Sequence, residues 1–193
     1  MTASRYQSAA EAVFMRLSRG GAEHSVRVAD TAARLAGLYG ADVDDARIAG
    51  VLHDWCRDIP GPELVRLAED AGIPVTEVDR RVPYLLHAPV AAVVLPSRLP
   101  WLSQRVLDAI VAHTYGRADI EALGMIVYIA DAIEPGRTHE GVDELRDAVG
   151  VVTLSELFER AYVVSVRHLI DGRRQIHPAT VQVWNALVAG ERQ

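Results

Sequence analysis

Four histidines and two aspartates, His24, His53, Asp54, His87, His113 and Asp131, recur at the polar ends of apolar stretches or inside them. The densest signal is Ala49-Gly50-Val51-Leu52-His53-Asp54-Trp55-Cys56-Arg57-Asp58, where an adjacent imidazole and carboxylate close an apolar run that packing alone does not explain. An aspartate at a helix C-terminus is opposed by the helix dipole, so a cation is expected beside it. Mixed nitrogen and oxygen donors suit iron, manganese, cobalt, nickel or zinc, and argue against a calcium cage or a thiolate site. Six ligands exceed what one catalytic zinc takes from protein while keeping a position open, so two metals are the better count. Asp54 is then the natural bridge, with one oxygen for each cation. His24, His53 and Asp131 complete one site, and His87 and His113 the other.

Two cations about 3.5–4 Å apart share a water whose pKa falls far enough to leave hydroxide at neutral pH, and contact a phosphoryl oxygen as Lewis acids. Hydrolysis of a phosphoanhydride is the chemistry such a site serves, with Asp54 and His53 at its catalytic centre. The leaving phosphate is a weak base, so the site needs charge neutralisation more than a strong general acid. Arg57, Arg117 and Arg137 lie close in sequence to candidate ligands and are expected to bind phosphate oxygens, with Thr114 adding a hydroxyl donor. His139, His168 and His177 read as core or surface residues, and Trp55 and Cys56 as packing.

The elements that must position these groups read as helices. Residues 8–18 suit a first amphipathic helix stopped by Gly20-Gly21, and a second runs from about Ala22 to Gly40 with His24 one turn from its start. Asp42 is a good N-cap for a third, whose last turn carries His53-Asp54 toward Pro60-Gly61-Pro62. A short helix spans Glu63 to Ala71, followed by a polar stretch from Thr76 to Arg81. Pro89 fits a first helical position, with His87 just before it, until Pro96 and Pro100 interrupt. Ser103 caps a helix ending at His113, and a longer apolar segment from Asp119 delivers Asp131. A short helix or turn at 141–149, a capping box at Thr153-Leu154-Ser155-Glu156 with a helix to about Leu169, and a last helix after Pro178 complete the chain. No stretch sustains the alternation of a half-buried strand.

The fold class is therefore all-α: one helical domain over 1–193, with a core at about 10–150 and C-terminal helices at 153–190 packed on it. Half of the 193 residues are hydrophobic, enough for a substantial core. A net charge of −6 opposes extended nucleic-acid binding and leaves a small-molecule polyphosphate as the anionic partner to consider. The sole cysteine, the plain N-terminal stretch and the lack of an apolar run of roughly 18 residues predict a cytoplasmic chain with no membrane partner. A homodimer is compatible with the sequence, which has no feature separating an interface from a core face.

These residues resemble the HD-domain metal-dependent phosphohydrolases, whose pattern is H…HD…D, and within them the YqeK group. The blocks that carry the likeness are His24-Ser25-Val26-Arg27, Leu52-His53-Asp54-Trp55-Cys56-Arg57-Asp58, Leu86-His87-Ala88-Pro89, Ala112-His113-Thr114-Tyr115-Gly116-Arg117 and Tyr128-Ile129-Ala130-Asp131-Ala132-Ile133-Glu134-Pro135-Gly136-Arg137. Ile176-His177-Pro178-Ala179-Thr180 and Asn185 resemble the group's tail. The resemblance implies an all-α enzyme with a di-iron centre, held by the same six residues, that cleaves diadenosine tetraphosphate symmetrically into two ADP. Arg57 stands where lysine is usual, and Ala88 where glycine is common. Two other functions fit the same ligands: a nucleotidase acting on another phosphorylated nucleotide, and a nucleotide sensor whose metals only brace the fold.

Overall fold

Caps and apolar spacing set the helix boundaries in the computed structural model, which describes residues 2–190, with side chains from Arg5 onward. The helices are α1 (Thr2–Arg16), α2 (Arg19–Tyr39), α3 (Val43–Leu52), α4 (Gly61–Asp70), α5 (Glu77–Arg81), α6 (His87–Arg98), α7 (Gln104–Tyr115), α8 (Ala122–Ile133), α9 (Val142–Ala148), α10 (Leu154–Asp171) and α11 (Pro178–Ala189). A 3₁₀ turn, Pro83–Leu86, leads into α6, and no strand occurs among the described residues. The Asp42 side chain accepts the Asp45 N–H at 2.9 Å, fixing the start of α3. Thr153 and Glu156 exchange hydrogen bonds in a capping box that starts α10.

Several boundaries depart from the sequence expectation. Gly20-Gly21 does not stop α1; the break falls at Leu17-Ser18, and Ser18 caps α2 by accepting the Gly21 N–H. Both glycines thus lie in the first turn of α2, where unbonded backbone N–H groups make glycine cheap. His87 is itself the first residue of α6, Pro89 follows inside it, and α6 runs on through Pro96 to Arg98. The polar stretch Thr76 to Arg81 contains helix α5, nucleated by a capping box between Thr76 and Asp79. α8 begins at Ala122 rather than Asp119.

The helices that carry the candidate ligands pack on one another: α2 on α3 and α8, and α7 on α8, α6 and α3. α1 lies across α2 and α3, while α10 covers α8 and touches α9 and α11. One continuous apolar core runs from Ala9 on α1 to Val183 on α11. Among the described residues no helix is long and apolar enough to cross a membrane.

The crossing of α2 and α3 sets the distance between His24 and His53, and Gly50 makes it close. A Cβ there would lie 2.8 Å from the Ala29 Cα and 3.1 Å from its nitrogen, so two backbones would have to part. Helix propensity favours alanine by up to about 1 kcal/mol, but overpacking costs about 1–3 kcal/mol and occasionally more. Gly50→Ala is therefore expected to lower stability in urea denaturation despite its better propensity. An unchanged or higher midpoint would show that the helices separate freely.

Candidate metal centre

Each candidate ligand stands at or near a helix terminus. His24 lies in the second turn of α2, His53 is the C-cap of α3 with Asp54 in the next turn, His87 opens α6, and His113 and Asp131 sit in the last turns of α7 and α8. Tertiary packing converges all six. Asp54 is 1% exposed and its two oxygens face different imidazoles. Oδ2 lies 3.7 Å from His24 Nε2 and 3.4 Å from His53 Nε2, while Oδ1 lies 3.2 Å from His87 Nε2 and 3.8 Å from His113 Nε2. Asp131 Oδ1 is 3.0 Å from His24 Nε2 and 3.9 Å from His53 Nε2. Oδ2 thus turns toward His24 and His53, and Oδ1 toward His87 and His113.

Hydrogen bonds on the far side of each ring decide what the near side offers. Nδ1 of His53, His87 and His113 faces the carbonyl three residues earlier, of Gly50, Tyr84 and Ile110, at 2.7, 2.6 and 2.6 Å. A carbonyl only accepts, so each Nδ1 must donate, and in the neutral ring Nε2 is left with its lone pair. His87 and His113 then aim bare nitrogens at one another 3.0 Å apart, which needs a cation or a proton between them. His24 Nε2, His53 Nε2 and Asp54 Oδ1 are buried without a hydrogen-bond partner among the described residues. Orphaned lone pairs pointed at a common centre cost stability unless a cation is held there, so this donor set fits divalent metals. His24-His53-Asp131 and His53-Asp54-His113 each bring three donor atoms within 4.8 Å of one another.

The cluster's electrostatics carry the same sign. Burial opposes charge on Asp54, yet the His53 and His87 imidazoles hold its carboxyl well below the usual carboxylate range. Asp131 is likewise held far down against burial, by His24, His53 and Arg137. Burial also pulls His53 down, but Asp54, Asp131 and the Gly50 carbonyl together raise it to about 8. His113, buried and beside His53 and His87, is lowered to about 3. Without metal, then, His53 carries the added proton more readily than His113.

A cleft of about 590 Å³ opens on this centre, and its walls include Tyr84, His87, His113, Thr114, Asp131 and Arg137. Arg57 donates to Asp54 Oδ2 at 2.5 Å and lies over the Tyr84 ring. Arg137 binds the Asp131 carboxylate and, through Nε, its carbonyl at 2.8 Å. Thr114 Oγ1 is 3.4 Å from His113 Nε2. Arg117 is not brought to the centre: its guanidinium is taken bidentately by Asp119 at 3.0 and 2.9 Å, and it does not line the cleft. A short-range partner two residues away outcompetes a distant site, the outcome expected of an exposed arginine beside an aspartate.

Two groups of residues have parts in this region that sequence reasoning left unassigned. Glu134 is buried against His24, Arg27 and the Gly136 N–H. Asp79 accepts hydrogen bonds from Thr76 and Tyr115 and pairs with His177 at 3.2 Å, and Tyr115 stacks on His177. The available signals were the capping-box spacing of Thr76 and Asp79, and a histidine placed to cap a helix just before Pro178.

An all-helical frame with an adjoining His-Asp pair at the end of one helix, met by three further histidines and an aspartate, defines the HD-domain class. The HD domain family model matches residues 21–136, and the chain belongs to that family. It is 33% identical over 86% of its length to the symmetrical bis(5'-nucleosyl)-tetraphosphatase of Bacillus subtilis, covering 89% of that protein. A protein of the same name from Halalkalibacterium halodurans is 29% identical over 88% of the chain and 90% of the relative. The crystal structure of a predicted HD superfamily hydrolase involved in NAD metabolism, from Clostridium acetobutylicum, superposes with a TM-score of 0.88 at 34% identity, over 95% of this chain and 97% of that one.

Proposed function

We propose that this chain is a metal-dependent hydrolase that splits diadenosine tetraphosphate, and related dinucleoside polyphosphates, at the centre of the phosphate chain into two ADP. The observation that carries this reading is the placement of Asp54, one oxygen toward each of two imidazole pairs, beside a cleft large enough for a nucleotide. The similarity to proteins named for this activity over most of the chain supports the substrate. We take the whole chain as one domain, with the sole cysteine buried and free, as suits a cytoplasmic enzyme.

His24, His53, Asp131 and Asp54 Oδ2 would hold one divalent cation, and His87, His113 and Asp54 Oδ1 the other. Iron is the metal we assign, and manganese, cobalt, nickel and zinc also fit the donors. Such a pair of cations supplies Lewis-acid contact to phosphoryl oxygens and lowers the pKa of a coordinated water. The protein's own part is positional. The carbonyls of Gly50, Tyr84 and Ile110 keep the Nε2 lone pairs of His53, His87 and His113 aimed inward. Two guanidinium groups, Arg57 and Arg137, offset the Asp54 and Asp131 carboxylates, so the charge of cations held there would be left to act on the phosphate chain. Thr114 has a hydroxyl at the cleft wall to donate to a phosphate oxygen. Cleavage between the two central phosphates expels ADP, whose terminal phosphate leaves without a strong acid.

Chromatography of diadenosine tetraphosphate after incubation with anaerobically purified protein and ferrous iron tests the reading. ADP as sole product supports it; AMP with ATP overturns central cleavage, and no turnover overturns the substrate. On the same assay Arg137→Ala is expected to lower kcat/KM on the order of 10²-fold, the usual cost of one charged donor at a reacting phosphate. Arg117→Ala should leave it unchanged, because that guanidinium is engaged by Asp119 outside the cleft.

A further inference from the structure

We propose that Glu134 is a positioning residue for the cation site built on His24, acting through the imidazole rather than on the cation. This inference rests on the two-metal reading above and not on the identity of the substrate. Three of the four histidines lean on neutral backbone carbonyls, whereas His24 Nδ1 faces the Glu134 carboxylate, with Oε1 at 3.1 Å. Glu134 is 2% exposed and tightly fixed. Its Oε2 accepts Arg27 Nε at 2.6 Å and the Gly136 N–H at 2.6 Å, while Arg27 Nη2 reaches Oε1 at only 3.4 Å. Oε1 is thereby kept for the imidazole N–H.

The turn after α8 is shaped for this contact. A Cβ at Gly136 would sit 2.8 Å from Arg27 Nη2 and 2.9 Å from Glu134 Oε1, so any side chain there would push the pair apart. Arg27 lies three residues after His24 on α2 and ties the carboxylate to the helix that carries the imidazole. A carboxylate behind a ligating imidazole fixes the tautomer and makes Nε2 a better donor than a neutral carbonyl does. The two cation sites are therefore unequal. The site of His24, His53 and Asp131 has a carboxylate-backed imidazole, and the site of His87 and His113 has none.

The competing role, a counter-ion for Arg27 alone, is separable because glutamine keeps that function. In Glu134→Gln the amide oxygen is claimed by the two donors at the Oε2 position, Arg27 Nε and the Gly136 N–H. The amide N–H₂ then faces His24 Nδ1, which must accept, and the ring proton moves to Nε2, where the cation would bind. The experiment is a manganese titration of the metal-free full-length chain, followed by the EPR signal of the free ion, beside a thermal melt without metal. Wild type binding two ions is the control, and its failure would overturn the metal reading and this inference together. Glu134→Gln is expected to weaken one of the two ions about 10–100-fold, leaving the other and the metal-free melt unchanged. Gly136→Ala, which displaces the carboxylate without removing it, should weaken the same ion. In a His24→Ala background Glu134→Gln should have no further effect. Two ions bound at wild-type affinity in both single variants, or an equal loss from Glu134→Gln with and without His24, would overturn the proposal.

Discussion

Asp54→Asn is expected to cost at least about 10³-fold in kcat/KM, which corresponds to ~4 kcal/mol of lost transition-state stabilisation. Asparagine keeps the shape of the side chain but has one acceptor where aspartate has two. Whichever way the amide turns, its N–H₂ meets one of the two imidazole pairs, His24 with His53 or His87 with His113, whose Nε2 atoms lie 3.2–3.8 Å from the present oxygens. One of the two imidazole pairs would then share its cation position with the positive end of the amide dipole in place of a ligand oxygen, and both positions would lose the carboxylate's negative charge. Arg57 also loses its 2.5 Å carboxylate partner. The metal-free variant should still fold, because an amide N–H₂ finds bare imidazole nitrogens to bond. Manganese stoichiometry and ADP formation are read on the same preparation, with the expected result of one tight ion and almost no product. Two tight ions with turnover within tenfold of wild type would remove Asp54 as the bridge.

What could be read from the sequence and what could not divide along a physical line. Asp42, Thr153 and the apolar spacing of α2, α7 and α8 act within a few residues, so those helices, and the place of the candidate ligands near their ends, were legible. Asp54 stood out as a candidate bridge because a carboxylate beside an imidazole at a helix end calls for a cation, whatever the packing. Gly20-Gly21 misled because glycine is a stop signal only where a helix has no N-cap waiting, and Ser18 supplies one. Pro96 misled because α6 tolerates one missing N–H near its end. Long-range pairing was not legible at all. Nothing local to Glu134 announces that it meets His24 from 110 residues away, and nothing local to Asp79 announces His177. Arg57, Arg117 and Arg137 looked alike in sequence. Their separation into two that stand at the centre and one that pairs with its own neighbour is a tertiary fact.

Stripping the metals should lower the thermal midpoint by an amount that itself depends on pH. A cation held at about 1,000 times its Kd contributes about 4 kcal/mol to folding, and 1 kcal/mol moves the midpoint of a chain of this size by about 2–4 °C. Each saturated site is therefore worth ~8–16 °C, readable as the gap between melts with manganese and with chelator. The pH dependence follows from His53, which burial would lower but Asp54, Asp131 and the Gly50 carbonyl raise to about 8 in the metal-free cluster. In that state the raised pKa stabilises the fold fully below the ordinary imidazole value of 6.5, and the contribution is lost as pH rises through about 8. Binding a cation reverses the slope, since Nε2 must give up its proton first. Lowering pH from 8 to 6 should thus weaken the metal at His53 about 50-fold, because the ring is already half protonated at pH 8; that is ~2.3 kcal/mol, and it should narrow the gap between the two melts by ~5–9 °C. His113, lowered to about 3, stays neutral across this range and adds no proton of its own. A gap constant from pH 6 to 8 would mean that the cation does not displace a proton from His53, and would take that imidazole out of the ligand set.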